Sequence, residues 1–360
     1  MIESITLQNY KNLNSKYSFN SRITLITGEN GKGKSNLLES IFLIVNGFPY
    51  RDSDDIDLVS WNFTKEFNID PFFNITGKLG SEERQIVFQG KKTYKINGKV
   101  KRAYGFSDDH VAIIFTPSSI DLISKTPSER RDELDTFISL LDASYKKEME
   151  EYRKSLRSRN KILQIHPANI DHQLIFWNKK LSTLGSKIIR KRINNLKVLE
   201  VVASKIAKDI YHFGDNVFNL KYINKYVSYL DMTEEEIEKV LLEKYENNLL
   251  KEMAVGSTLY GPHRDDIEVL LNGKSLKESG SRGQQRLASF IIKLSEYEIL
   301  SKNKESVILL IDDLPAELDR VHVTNAEKLF KEMNAQVILT AVDRTEYSKG
   351  FVKESDLISL

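Results

Sequence analysis

Gly28-Glu29-Asn30-Gly31-Lys32-Gly33-Lys34-Ser35 has the form G-x-x-x-x-G-K-[ST]. Before it, Ile23–Thr27 reads as a buried strand. After it, a helix is expected from about Lys34 to Val45, with apolar residues at Leu37, Leu38, Ile41, Phe42 and Val45. Strand, glycine-rich turn and helix together are the context of a phosphate-binding P-loop. Glycines let the backbone turn tightly enough for its N–H groups to converge on phosphate oxygens at a helix N-terminus. On this reading Gly28, Asn30, Gly31, Gly33, Lys34, Ser35 and Asn36 bind ATP. Lys34 reaches the β- and γ-phosphates, and the Ser35 hydroxyl ligates Mg²⁺.

A P-loop needs a carboxylate partner. Val307–Ile311 is an apolar strand that runs into Asp312 and Asp313, the Walker B form. Asp312 would hold Mg²⁺ with Ser35, while Asp313 would orient or deprotonate the attacking water, making Lys34, Asp312 and Asp313 the expected catalytic set. About 280 residues separate Lys34 from Asp312, so the site must be assembled from two ends of the sequence with a segment looped out between them. Ser281-Arg282-Gly283-Gln284 opens a helix some twenty residues before the Walker B strand. A Ser-x-Gly-Gln turn there is a second anion site, and Ser281, Gly283 and Gln284 fit the signature that ABC-type ATPases present to the nucleotide of a second protomer. Pro315-Ala316-Glu317-Leu318-Asp319 then fits the D-loop at such a dimer interface, with Asp319 its acid.

The 360 residues include no cysteine, which excludes disulfides, thiol nucleophiles, iron–sulfur clusters and Cys-ligated zinc. Six scattered histidines form no metal-binding cluster. Apolar runs fall far short of a membrane span and no signal segment opens the sequence, so a soluble cytoplasmic protein is expected. Besides the strand and helix that flank the glycine-rich turn, short strand patterns occupy Ile2–Leu7, Tyr17–Phe19, residues 72–101 with Asn97-Gly98 as a hairpin turn, and Val111–Phe115. From Ser128 to about Phe213 helical periodicity takes over, broken at His166-Pro167-Ala168-Asn169. Residues 211–227 read as mixed, Glu234–Met253 as one acidic helix, and the remainder returns to strands and helices. The expected organisation is an α/β ATPase head built from 1–126 and 256–360, interrupted by an α-helical lobe at 127–255.

Taken in order, these segments resemble the RecF family of bacterial recombination mediators, compact relatives of SMC and Rad50 in the ABC ATPase class. The stretches that carry the resemblance are 28–41, Phe115–Ile123, Ser128–Asp135, Gly280–Arg286 and Leu309–Asp319. Thr258-Leu259-Tyr260-Gly261-Pro262-His263-Arg264-Asp265-Asp266 is the most specific. The resemblance implies an ATP-dependent homodimer that binds double-stranded DNA and single-strand/double-strand junctions. It implies RecR, RecO and RecA as partners in DNA repair, replication, recombination and the SOS response. Two features depart from ABC patterns generally. No histidine stands in Leu339–Asp343 to act as a switch, and no glutamine can be assigned to a Q-loop, which suggests slow hydrolysis. An ATPase that drives a separate nuclease, or an ATP-gated clamp with negligible hydrolysis, are the competing readings.

Net charge is only +2, yet it is segregated. Between Lys146 and Lys197 fourteen basic residues face four acids, whereas Asp231–Glu252 sums to about −5. Arg153, Lys154, Arg157, Lys187, Arg190, Lys191 and Arg192 are expected on helix faces and would bind DNA phosphates; the same pattern also suits a solvated face paired with the acidic helix. Arg130 and Arg131 would either touch phosphate or brace the lobe through Asp135. The charges of 261–266 suggest a structural ion network, with His263 and Arg264 as candidates to reach a nucleotide.

Overall fold

The computed structural model describes the chain except residues 51–53, 61–69, 103–105, 107–108, 166–169, 210–217 and 225–227, and the side chains of 118, 120 and 171. The break expected at His166–Asn169 lies outside the described residues, as does most of the mixed stretch 211–227. The fold falls into two compact units, one formed by Met1–Asp121, Ile206–Phe213 and Arg282–Leu360, the other by Leu122–Lys205 and Gly214–Ser281.

In the first unit β1 (Ile2–Gln8), β2 (Lys16–Ser18), β4 (Phe72–Leu79), β5 (Glu82–Gln89), β6 (Lys91–Ile96) and β7 (Lys99–Lys101) form an antiparallel sheet in the order β2-β1-β4-β5-β6-β7. The second sheet is fully parallel, in the order β14-β3-β13-β12-β8. Its strands are β3 (Ile23–Thr27), β8 (His110–Phe115), β12 (Ser306–Ile311), β13 (Gln336–Ala341) and β14 (Asp356–Ser359). The central ones, β3, β13 and β12, are mostly apolar and buried along nearly their whole length, as strands covered on both faces must be.

Helix α1 (Lys34–Asn46) joins the core shared by the two sheets, and its burial on every side explains why Leu37, Leu38, Ile41, Phe42, Leu43, Ile44 and Val45 leave no polar face. It ends at Gly47, whose left-handed conformation (φ 75°) returns an N–H to the Leu43 carbonyl. The Asn46 amide then exchanges two hydrogen bonds with the Ala112 backbone, at 2.8 and 2.9 Å, which locks α1 to β8. Gln336 makes the same kind of double bond to the Ile2 backbone (2.7 and 2.8 Å) and so couples the two sheets.

The second unit holds the helices α2 (Pro127–Leu141), α3 (Ala143–Ile165), α4 (Ile170–Asp209) as far as Lys205, α5 (Glu234–Asn247) and α6 (Leu249–Val255). It also holds an antiparallel sheet of β9 (Phe218–Ile223), β10 (Asp266–Leu271) and β11 (Lys274–Ser275). Thr126 and Glu129 close a capping box with Pro127 at the first helical position, which fixes the start of α2. The single acidic helix expected over Glu234–Met253 is two helices. Asn248 breaks it, because its amide donates to the Lys244 carbonyl and its carbonyl oxygen accepts from Tyr260 Oη. That break lets Glu252 turn inward, where it meets Arg159 at 2.6 Å with both side chains fully buried. Asn178 and Thr258 complete the guanidinium's partners, and the ring of Tyr245 covers it at 4.7 Å.

The Thr258–Asp266 segment is the hub of this unit. Asp265 accepts from Tyr222 Oη at 2.5 Å and from Asn224, its backbone carbonyl accepts from Arg131, and burial raises its pKa to about 6. His263 is bonded at both ring nitrogens, to Tyr152 Oη and to the Thr258 carbonyl, and burial lowers its pKa to about 4. Both therefore serve the structural network that the charges of 261–266 suggested.

Two measurements check these contacts. Arg159→Ala strands the Glu252 carboxylate and costs about 3–5 kcal/mol in urea unfolding. Acid acts on His263 and Asp265 in opposite directions. Below about pH 6.5 the unfolded chain protonates its histidine before the folded one does, which removes stability. Below about pH 6 folded Asp265 takes up its proton before the unfolded chain does, which restores some. Asp265→Asn therefore loses stability more steeply than the parent between pH 6 and 4, read as urea midpoints.

Candidate nucleotide and nucleic-acid sites

Parallel pairing puts the carboxyl ends of β3, β13 and β12 side by side, and the candidate catalytic residues follow those ends. Gly28 through Gly33 leave β3 and enter α1. A side chain at Gly28 would meet the Leu360 backbone oxygen at 2.7 Å, and one at Gly33 (φ 104°) would meet Leu13 and Asn12 below 3 Å. Lys34 is buried, and its ammonium donates to the Gly28 and Glu29 carbonyls at 2.5 and 3.2 Å. The loop's backbone thus curls around the same cation that would meet a phosphate. Ser35 and Asn36 sit half-buried in the first turn of α1, while Asn30 and Gly31 are exposed at the loop's crown.

Asp312 and Asp313 leave β12. Asp312 is 5% exposed, and its Oδ1 accepts from Thr340 Oγ1 at 2.7 Å; the same hydroxyl oxygen accepts from the Asp313 N–H at 2.9 Å. Asp313 is held in a left-handed conformation (φ 52°, ψ 51°), unusual for a residue with a Cβ. Burial and the neighbouring Asp312 charge raise its pKa, with Lys34 opposing them. A carboxylate held so beside a lysine suits orientation of a water for in-line attack on a phosphoryl group.

Three contributors were not legible as site residues. Thr340 ends an apolar strand, with nothing in its surroundings in sequence to mark it. Lys11 pairs with Glu39 of α1 and donates to Asn36 Oδ1 at 3.3 Å. Asn12 donates to the Gly31 carbonyl at 3.2 Å and accepts from Asn36 at 2.7 Å. Asn9 and Lys11 both have positive φ (54° and 47°), and Asn-Tyr-Lys-Asn following a strand was the available signal. Thr116, immediately after β8, is buried in a capping box with Ser119.

The signature residues stand at the head of α7 (Arg282–Ser301). Ser281, Gly283 and Gln284 are all exposed, and a side chain added at Gly283 meets nothing within 4 Å, so a second molecule can approach closely. Further along the helix Phe290 packs against Phe115 at 4.8 Å. Asp319 caps α8 (Arg320–Glu332): it accepts from the Val321 and His322 N–H groups, both at 3.0 Å.

The expected basic face of the helical unit divides. Arg130 is buried and bonded to both oxygens of Asp266, at 2.9 and 2.6 Å, and not to Asp135. Asp135 instead takes Arg192, which is buried and also donates to the Pro262 carbonyl. Arg131 bonds the Asp265 carbonyl, Arg190 the Leu230 carbonyl, and Lys191 both Asp142 and Glu148. Arg130 and Arg192 are therefore withdrawn from the DNA-contact set, since a buried guanidinium with its donors committed cannot meet a phosphate. Spacing of three or four places residues on one helix face without saying whether that face is buried. Lys187 is half-buried within the field of Glu238, and Glu238 itself pairs with Lys179, so the acidic helix does neutralise part of the stripe.

Arg153, Lys154 and Arg157 remain exposed, and Lys147, Lys154 and Lys161 recur every seven residues away from the buried Tyr145, Met149 and Tyr152. Arg153 alone of these pairs with an acid, Asp132, at the surface. In the other unit, the hairpin of β6 and β7 and its following residue carry Lys91, Lys92, Lys95, Lys99, Lys101 and Arg102 without one acid. Lys91, Lys99, Lys101 and Arg102 are exposed, whereas Lys92 pairs with Asp55. No helix among the described residues is long and apolar enough to cross a membrane.

Thr340→Val keeps the side-chain shape but leaves the Asp313 N–H and Asp312 without their shared partner. It lowers stability by about 1–3 kcal/mol and weakens ATP binding, as denaturant unfolding and calorimetric titration would show.

The family described as RecF/RecN/SMC N terminal domain matches residues 1–356. A Ligilactobacillus salivarius protein described as DNA replication and repair protein RecF is 31% identical over 370 residues, covering 100% of this chain and 95% of that protein. The solved structure described as the recombination mediator protein RecF-ATP in the RecFOR pathway matches with TM-score 0.83 at 30% identity, covering 96% of this chain and 94% of that one. Its counterpart described as RecF-ATPrS matches with TM-score 0.86 at 29% identity, covering 97% and 94%.

Proposed function

We infer, for a chain that belongs to the RecF family of RecF/RecN/SMC proteins, that it is an ATP-binding protein of DNA replication and repair acting in the RecFOR recombination pathway. One observation carries the reading beyond membership. The P-loop and the Asp312-Asp313 pair, about 280 residues apart in sequence, follow strands of one parallel sheet with Thr340 fastening the acids between them. A lysine in a glycine cradle beside such acids suits a polyphosphate with a bound cation.

The residues present fit Mg²⁺. Ser35 and Asp312 offer hard oxygen donors, and Thr340 leaves the second Asp312 oxygen available for a cation. When bound, the ion would neutralise charge on the phosphates. Lys34 would contact the terminal phosphates and Asp313 would orient the water. The exposed Ser281, Gly283 and Gln284 would contact the γ-phosphate held by a second copy, so that ATP joins a homodimer and hydrolysis releases it. Slow turnover, stimulated by DNA, follows from chemistry that waits on dimer closure.

Duplex DNA and single-strand/double-strand junctions are the proposed nucleic-acid ligands, with RecR, RecO and RecA as protein partners. Two surfaces supply phosphate contacts: Lys147, Lys154, Arg157 and Lys161 on α3, and Lys91, Lys95, Lys99 and Lys101 on the β6–β7 hairpin. Such contacts are sequence-independent and weaken with salt.

Fluorescence anisotropy on gapped, duplex and single-stranded DNA, with ATP and with ADP, tests this function. Binding is expected to require ATP and to be lost in Lys34→Ala. Replacing Lys91, Lys95, Lys99 and Lys101 together by Ala should reduce the slope of log K against log salt by about 2–4. Arg130→Ala should instead act through stability. Equal DNA binding by Lys34→Ala and parent would defeat the reading.

A further inference from the structure

The Tyr347 side chain is a polar group that the proposed chemistry leaves without a role. It follows the turn that leaves β13, seven residues after Thr340, and is 3% exposed. Its ring stacks on Phe351 at 5.4 Å, with planes 28° apart. Its hydroxyl is buried and has no hydrogen-bond partner in the protein, one of three such side-chain groups among the described residues. A buried hydroxyl without a partner costs stability, and Phe would pack here without that cost.

The surroundings of that hydroxyl are acidic. The charges of Asp313, Glu346, Glu327 and Asp312 all raise its pKa, Asp313 most strongly among them, on top of its burial. Glu327 already accepts from the Ser348 N–H at 2.8 Å, and Asp312 is bonded to Thr340. Asp313 donates its backbone N–H to Thr340 Oγ1 and has a left-handed backbone immediately after β12. A phenol is a donor of fixed reach, and a carboxylate is the strongest acceptor it can meet.

We propose that Tyr347 is a positioning residue for hydrolysis, donating its hydroxyl to the Asp313 carboxylate when the nucleotide site closes and so aiming that carboxylate at the attacking water. This rests on the ATPase reading and adds to it the group that couples the segment after β13 to the Walker B acids. ABC ATPases place a switch histidine in that segment, and this chain has none there.

Tyr347→Phe removes one oxygen and keeps the ring on Phe351. In the full-length protein, steady-state turnover and the rise in Tm caused by a non-hydrolysable ATP analogue are compared with the parent. Without nucleotide the variant should melt at or above the parent temperature, because a partnerless hydroxyl has gone. With the analogue its rise in Tm should be smaller than the parent's by about 1–2 °C, and kcat should fall about three- to tenfold at unchanged KM. A phenol that is merely structural predicts the same analogue-induced rise and the same kcat in both proteins, and that result overturns the assignment while leaving the ATPase reading standing. A parent protein with no analogue-induced rise at all overturns both.

Discussion

The fold depends on one arrangement: β13 lies between β3 and β12, all three parallel. A parallel sheet ends its strands on one edge, so the turn after each must emerge there. Because β13 is the middle strand, Thr340 stands between the glycine loop and the acidic pair and can bond two groups of the latter at once. No local contact could bring Lys34 and Asp312 together across so long a separation in sequence. Backbone register does it, with Gln336 and Asn46 fastening the antiparallel sheet and α1 to the same framework.

The helical unit solves a different problem. Its helices carry more charge than an amphipathic bundle needs, and the structure spends part of it internally. Arg159 with Glu252 and Arg192 with Asp135 are buried pairs, Arg130 is buried against a partly exposed Asp266, and each pair joins elements distant in sequence. Such pairs contribute little net stability against an apolar alternative, but losing one partner is costly. They therefore act as fasteners of geometry around Thr258–Asp266.

These two kinds of organisation were unequally legible in the sequence. β3, α1 and β12 could be read because period, length and flanking glycines or acids agree on the same residues. β14 and β9 escaped: Asp356–Ser359 is a four-residue edge strand, and the alternation of Phe218, Leu220 and Tyr222 is too short to stand out in a stretch read as mixed. The P-loop and Walker B acids were visible because their chemistry is local. Thr340, Asn12 and Tyr347 were not, since their roles come from neighbours supplied by the sheet. Arginines read as a DNA stripe proved to be partly interior, because a helical repeat reports which residues share a face and not what that face meets. The exposed β6–β7 lysines show the converse: a short run without acids is a stronger sign of surface charge than a periodic one that has acids elsewhere to pair with.

On the proposed function the ATP site is completed by two copies of the chain, one giving the P-loop and the other the exposed head of α7. Sedimentation velocity of the intact protein in Mg²⁺ with ATP and, separately, with ADP tests it most directly. A monomer of 41.5 kDa is expected with ADP and about twice that mass with ATP. A protein that binds ATP yet sediments as a monomer throughout would contradict it.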